Sequence, residues 1–334
     1  MSGRVDRQEL VTVVIPAYNG EATIDETLRS VRSQTHSNLE ILVVDDGSKD
    51  ATTAIIERHA AADPRIRLIS QSNGGVAAAR NNGISQARAD LIAFVDADDL
   101  WAPEKIEKQV AALRASGDRC ALVYTWYSLI DEESEVIDRS YRPLEAGDVL
   151  ERICLGNLVG NGSSALVTKE ALVEAEGFDP QLRARRAQGC EDLKLYFRVA
   201  ERHHFALVPE YLTGYRRTPT NMSSDYRQMF RSRMLVAEEM EQRQPQLTAT
   251  IRAGNAYYVQ WLLERAMNTR RAGDFFFFAG WLVGRAPKLI LQSLRRPLKG
   301  RVRQFVRRLL RPNKPAPHSS SPVRFPIGEP AGVI

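Results

Sequence analysis

The chain has 334 residues and a mass of 37.5 kDa, 43% hydrophobic and 26% charged, which is enough for one large domain with a sizeable core and a smaller part beside it. Its formal charge of +5 is unevenly spread: residues 285 to 314 carry many Arg and Lys and no Asp or Glu, so the body is near neutral and the far end basic. The cysteines Cys120, Cys154 and Cys190 lack metal or redox spacing and fit a reduced, cytosolic compartment, while the absence of an apolar core in MSGRVDRQEL and of any ~20-residue apolar run argues against a secretory signal and a spanning helix.

The first strand expected is LVTVVIP (10 to 16), β-branched and nearly continuous, as in a strand buried on both faces. A helix follows, with Ile24, Leu28 and Val31 at helical spacing. Strand LEILVVD (39 to 45), a helix after Asp50, strand IRLIS (66 to 70), a helix from about Val76 and strand DLIAFVD (90 to 96) continue the alternation. Repeated strand and helix predict a mainly parallel sheet flanked by helices. CALVYTWYSLI (120 to 130) reads as a further strand, with a hairpin through DEESE, and EDLKLYFRVAERH as a helix on Leu193, Phe197 and Ala200. From about Ser224 the pattern is helical, and after Pro312 a Pro- and Ser-rich stretch with little to bury predicts disorder. The expected division is therefore 1–220, 221–311 and 312–334.

In parallel sheets ligands bind beyond the carboxyl ends of the strands. Here those ends are PAYNG, DDGSKD, SNGGVAAARN and DADD, all polar or small. FVDADDLW sets Asp96, Asp98 and Asp99 within four positions. Like carboxylates so close raise one another's pKa unless a cation is supplied, although Asp is also common at a helix start before Pro103 and Glu104. NGGVAAARN offers a paired glycine ending at Gly75, whose backbone can approach a phosphate, and Arg80 to balance negative charge; a tight turn with a surface arginine fits equally. In DDGSKD, Asp46, Gly47 and Ser48 make a good turn and Asp50 a good cap, or one carboxylate accepts hydrogen bonds from a base or ribose.

Taken together in order, VTVVIPAYNG, VVDDGSKD, NGGVAAARNNGI, FVDADDLW, EGFDP (176 to 180) and GCEDLKLYFRV resemble the inverting nucleotide-sugar glycosyltransferases of family 2, over about residues 10 to 218. The resemblance implies the GT-A fold, a Rossmann-like mixed, mainly parallel α/β sheet flanked by helices, here with a C-terminal helical extension. It implies that Pro16, Ala17, Tyr18 and Asn19 line the base pocket, that Asp46 bonds the uracil edge and that Gly75 and Arg80 lie near the nucleotide. Asp96 would contact the ribose, Asp98 would ligate Mn²⁺ or Mg²⁺, Asp99 would complete the turn and Asp192 would be the catalytic base. Two departures stand out. Thr218 occupies the place of a histidine that many relatives carry in a Tyr-Arg-x-His context, which leaves Arg216 or Arg217 as substitutes for a diphosphate contact. The Q-x-x-R-W motif and membrane spans of processive synthases are absent, which favours one sugar per encounter.

The chemistry independently asks for these types. A departing diphosphate develops negative charge that a hard, oxygen-liganded cation neutralises, and an inverting displacement needs a base on the opposite face. Trp101 is a candidate for stacking on a sugar; Glu191 flanks the base, and Trp101, Glu191 and Arg216 form an expected acceptor side or second layer. The expected partners are a nucleotide-sugar donor of the UDP type and a glycan or lipid-linked acceptor. LQSLRRPLKGRVRQFVRRLLR puts Val302, Phe305, Val306, Leu309 and Leu310 on one stripe among arginines, so residues 285–311 are expected either to meet an anionic membrane surface from the cytoplasmic side, as a peripheral protein would, or to dock on the body by that same stripe. No RNA or DNA motif supports nucleic acid. The competing expectation is a non-catalytic nucleotide-sugar-binding or membrane-adaptor protein that keeps the fold.

Overall fold

The computed structural model describes residues 9–218, 222–294 and 323–329. Its first third alternates β1 (Val11–Ala17), α1 (Ile24–Arg32), β2 (Leu39–Asp45), α2 (Thr52–Ala62), β3 (Ile66–Ser70), α3 (Val76–Gln86) and β4 (Leu91–Phe94). Every residue of β1 and β2 is buried, because helices cover both faces; β3, at the sheet edge, buries only Ile66 and Ile69. Successive side chains of one strand point to opposite faces, and two apolar cores result. Val13, Ile15, Ile41 and Val43 pack with Leu28 and Val31 of α1 on one side. Val14, Leu42 and Phe94 pack on the other with Ala79 of α3 and with later helices.

The middle of the chain adds β5 (Leu100–Trp101), α4 (Lys105–Ala115), β6 (Cys120–Ile130), β7 (Val136–Arg139), α5 (Leu150–Leu155), β8 (Ala165–Thr168), α6 (Lys169–Glu174), α7 (Gln181–Ala184), α8 (Glu191–Ala200) and β9 (His204–Arg216). The strand order is β3-β2-β1-β4-β8-β6-β9-β5, with β7 paired to β6. β3, β2, β1 and β4 run parallel, as the alternation predicts. Beyond β4 the sheet becomes mixed, since β8 is antiparallel to both β4 and β6, while β6 and β9 are parallel. The two-residue β5 follows the DADD turn at once and pairs antiparallel with Gly214 and Thr213 of β9. That pairing ties the turn to the far end of the sheet.

α9 (Tyr226–Arg243), α10 (Thr248–Asn268) and α11 (Ala272–Val283) complete the helical region. Val236, Leu262, Leu263 and Phe278 belong to the same apolar core as Phe94 and Leu195, so the helices continue the sheet's packing rather than forming a core of their own. Arg233, 1% exposed, fixes the joint by donating to Asn255 Oδ1 (2.8 Å) and the Cys154 carbonyl (3.0 Å).

The expectation of disorder from 312 onward fails for residues 323–329. Val136 N–H donates to the Val323 carbonyl (2.8 Å), and Phe325 N–H donates to the Ser134 carbonyl (2.8 Å). Phe325 is 3% exposed among Ile130, Val208 and Leu212. A short segment with one aromatic anchor and an open strand edge to pair with has something to bury after all. Among the described residues no helix is long and apolar enough to cross a membrane. The basic stripe of 295–311 lies outside the described residues.

Candidate active site

Because β1, β2 and β4 are parallel, the loops after them meet at one edge of the sheet. The turn after β4 presents the three aspartates, and their environments diverge. Asp99 faces inward: its carboxylate accepts from Ser163 Oγ and from the Arg216 backbone N–H (2.9 Å). Burial, then the charges of Asp98 and Asp96, drive its pKa well above the carboxylate range. Asp96 pairs with the guanidinium of Arg80. Asp98 receives no hydrogen bond on its carboxylate from another residue among those described; burial and then the charge of Asp96 push it up to about 6. One of the three is thus a half-buried hard-oxygen donor whose carboxylate has no hydrogen bond from another described residue.

Arg80 is buried in α3. Burial opposes its charge, yet Asp96 outweighs that and raises its pKa further. Its guanidinium also lies 4.9 Å from the Phe178 ring centroid. A Cβ on Gly162 would come within 2.6 Å of Arg80 Nη2, so glycine here leaves room for the guanidinium. Ser163, the next residue, bonds the Asp99 carboxylate and the Asp96 N–H (3.0 Å), and its carbonyl accepts from Trp101 Nε1 (2.8 Å). Neither Ser163 nor the loop GNLVGNG (156 to 162) drew notice in the sequence. Small polar residues between elements gave no signal until β8 carried them into the middle of the sheet.

Asp192 sits in the first turn of α8. Its Oδ1 accepts from the Leu193 N–H (2.7 Å) and its Oδ2 from Asn157 Nδ2 (2.9 Å). Burial raises its pKa to about 6, against the lowering effects of the Leu193 N–H and Arg80. Glu191 beside it is buried and raised for the same reason, and its carboxylate accepts from the Gly189 N–H (2.7 Å). Asp192 and Asp98 are therefore two separate raised carboxyls, with Arg80 acting electrostatically on both.

Of the N-terminal candidates, Pro16 and Ala17 are buried at the end of β1, and Tyr18 is 51% exposed. Asn19 adopts a left-handed backbone (φ 49°), which asparagine tolerates, and its amide carbonyl accepts from Lys49 N–H (2.8 Å). Asp46 anchors the glycine turn: its carboxylate accepts from Gln71 Nε2 (2.8 Å), Gly74 N–H (2.7 Å) and Gly75 N–H (2.7 Å). Arg183 of α7, unnoticed in the sequence, lies over the same turn and donates to the Asn73 carbonyl (3.2 Å).

Two candidates lie elsewhere than expected. Trp101 is 0% exposed, with Lys105 Nζ 4.1 Å from its ring centroid, so it is core and has no face for a sugar. Arg216 is 1% exposed and every donor position of its guanidinium is engaged: Nε with the Asp98 carbonyl (2.8 Å), Nη1 with the carbonyls of Asp131 (2.7 Å) and Glu132 (3.0 Å), Nη2 with Glu26 (2.8 Å) and Ser134 (3.1 Å). It braces the aspartate turn from behind and is not a substitute for the missing histidine.

A family model described as Glycosyl transferase family 2 matches residues 12–159. The chain is 29% identical over 237 residues to TuaG of Bacillus subtilis (strain 168), a glycosyltransferase named for teichuronic acid biosynthesis, with 70% of this chain and 88% of that one covered. It is 33% identical over 207 residues to EpsH, a glycosyltransferase by name from the same strain, covering 60% of this chain and 58% of the relative, so it spans little more than half of that protein. S. aureus TarS 1–349 in complex with UDP-GlcNAc superposes with a TM-score of 0.58 at 18% identity, over 77% of this chain and 82% of that one. The mannosyltransferase PcManGT from Pyrobaculum calidifontis, in complex with GDP-Man and Mn²⁺, does so with 0.53 at 17% identity, over 85% and 83%. These structural likenesses establish a shared mixed α/β fold.

Proposed function

Because the chain belongs to glycosyl transferase family 2 and is a glycosyltransferase, we propose that it is an inverting, divalent-metal-dependent enzyme. It moves a sugar from a nucleoside-diphosphate donor, of the UDP type, to a hydroxyl of a glycan or lipid-linked acceptor, as cell-surface polysaccharide synthesis requires. The solved neighbours bound to UDP-GlcNAc and to GDP-Man with Mn²⁺ support the donor class and the cation. The non-catalytic alternative is set aside with the family assignment.

The observation that carries the mechanism is the separation of the two raised carboxyls, Asp98 with no hydrogen bond on its carboxylate from another described residue and Asp192 held by Asn157 and Leu193. Asp98 fits Mn²⁺ or Mg²⁺ by the chemistry of its donor, a hard carboxylate oxygen with no hydrogen bond from another residue among those described. Asp98 would hold such a cation from the protein side. Such a cation supplies neutralisation of the charge that develops on the leaving diphosphate. Asp192 takes the proton of the acceptor hydroxyl: at about 6 its carboxyl is mostly ionised at neutral pH yet more basic than an ordinary aspartate. Asp96, held by Arg80, reaches the ribose, and Tyr18 and Asn19 with the turn at Gly75 shape the base pocket. Asp46 serves that pocket mainly by fixing Gly74 and Gly75, and a uracil contact would compete with those bonds.

A screen of UDP-glucose, UDP-galactose, UDP-GlcNAc and GDP-mannose with Mn²⁺ tests the class. Asp98→Asn should abolish Mn²⁺-dependent UDP binding, and Asp192→Asn should keep binding and stop transfer. Wild-type turnover by Asp192→Asn sinks the base assignment. We also propose that residues 285–311 rest on an anionic membrane surface; Arg285 and Lys288 beside the exposed Leu291 and Leu294 support this. Replacing Arg301, Arg303, Arg307 and Arg308 by Glu should lower sedimentation with phosphatidylglycerol vesicles and spare donor hydrolysis; unchanged sedimentation refutes the membrane role.

A further inference from the structure

We infer that Asn157 is a positioning residue for the general base: the loop after α5 clamps its amide in one orientation, and that amide holds the Asp192 carboxylate. This rests on the reading of Asp192 as the base. Asn157 Oδ1 accepts two backbone N–H groups of its own loop, Val159 (3.1 Å) and Gly160 (3.0 Å). The NH₂ is left to donate to Asp192 Oδ2 (2.9 Å). A flipped amide would set its NH₂ against two N–H donors and its oxygen against a carboxylate, so the network admits only the observed orientation. The loop itself is pinned: Gly160 has φ +91°, and a Cβ there would lie 2.4 Å from Tyr127 Cε1.

The ionisable groups acting on Asp192 come from several elements: Arg80 of α3, Glu191 and Tyr196 of α8, Cys190 just before it, Tyr127 of β6 and Tyr258 of α10. Arg80 is the cation among them, and it is bound to Asp96. The tyrosines and Cys190 are themselves pushed up by burial and stay neutral at working pH. Asn157 is thus, among the described residues, the one hydrogen-bond donor to this carboxylate from outside its own helix turn. A donor to the ionised form favours it, which keeps a half-buried base deprotonated near neutrality and leaves its remaining lone pairs for the acceptor hydroxyl.

Asn157→Asp keeps an acceptor for Val159 and Gly160 while replacing the donor to Asp192 by a second carboxyl, so loss of the donor and like charge both raise Asp192 there, and Asn157→Ala isolates loss of the donor. The ¹³C carboxyl titration of Asp192 in the full chain, assigned by its loss in Asp192→Asn, should move upward by about one unit or more. With whichever nucleotide sugar of the screen is hydrolysed, kcat/KM for UDP release at pH 7 should fall about twofold for a shift of one unit and about tenfold for a shift of two, and recover toward pH 9, since the base is then ionised only at higher pH. The donor KM and UDP affinity should hold. Asn157→Ala should show a shift in the same direction with a lower melting temperature. An unshifted titration in Asn157→Ala or in Asn157→Asp, with Asp192→Asn inactive, overturns the positioning role and leaves the base in place; an active Asp192→Asn removes both.

Discussion

Replacing Arg216 by alanine removes a guanidinium that is 1% exposed and donates to three main-chain carbonyls, Ser134 and Glu26. Breaking a buried ion pair from one side costs roughly 3–5 kcal/mol. Stranded carbonyls would each add about 1–3 kcal/mol if they stayed dry, but water entering the vacated space should hold the total near the lower range. Glu26, with a side chain 22% exposed, recovers solvation easily, so most of the loss should come from the carbonyls of Asp98, Asp131 and Glu132. We expect Arg216→Ala to lose about 3 kcal/mol in urea unfolding followed by tryptophan fluorescence. Because one of those carbonyls belongs to Asp98, UDP affinity measured calorimetrically should fall further in Mn²⁺ than in EDTA. Arg216→Lys, whose single ammonium cannot reach all five acceptors, should recover less than half of the stability. A variant within about 1 kcal/mol of wild type, with its metal dependence unchanged, would refute the bracing argument.

Three further outcomes follow from buried groups. Phe325→Ala should cost about 3 kcal/mol in the same unfolding assay, since burial of a whole ring is lost; a change below about 0.5 kcal/mol would mean that 323–329 does not dock on β7 in solution. Asp192 is held at about 6 against 3.8 in the unfolded chain, so the native state binds the proton more tightly and stability falls as pH rises between those values. At 1.36 kcal/mol per unit this is about 3 kcal/mol, and allowing about 1 for a disturbed hydrogen bond, Asp192→Asn should stabilise the protein at pH 7 by roughly 2 kcal/mol, with the gain vanishing near pH 4. An Asp192→Asn variant less stable than wild type at pH 7 would contradict the half-buried, raised carboxyl. Gly162→Ala should displace Arg80 from Asp96, costing about 1–3 kcal/mol and weakening UDP binding; an unaltered melting curve would show that the loop yields freely.

Much of the architecture is legible in the order of residues. β1, β2, β3 and β6 fall within a residue of the apolar runs that predict them, because continuous β-branched stretches bounded by Gly, Asp or Pro have few other ways to bury themselves. Convergence of the polar loops was legible too, since parallel strands must place their carboxyl ends on one edge. β5 and β8 were not legible. Leu100 and Trp101 are too short a run to show a period, and Ala165–Thr168 becomes a strand only because β4 and β6 leave a gap between them that antiparallel pairing fills.

The candidate site divides the same way. Residue order alone carried the resemblance to family 2, the order of the loops and the presence of three crowded aspartates with a second acidic pair about a hundred residues on. The environment of each carboxylate came from the tertiary fold, because partners distant in the chain set it: Arg80 claims Asp96, Ser163 and the Arg216 backbone claim Asp99, Asn157 claims Asp192, and among the described residues none claims the Asp98 carboxylate. The fold also moved Trp101 into the core and turned Arg216 from a ligand candidate into a brace. Residue type fixes what a side chain can donate or accept, but in a buried site the free energy of its charge depends on neighbours and on water excluded, and those are fixed by the fold.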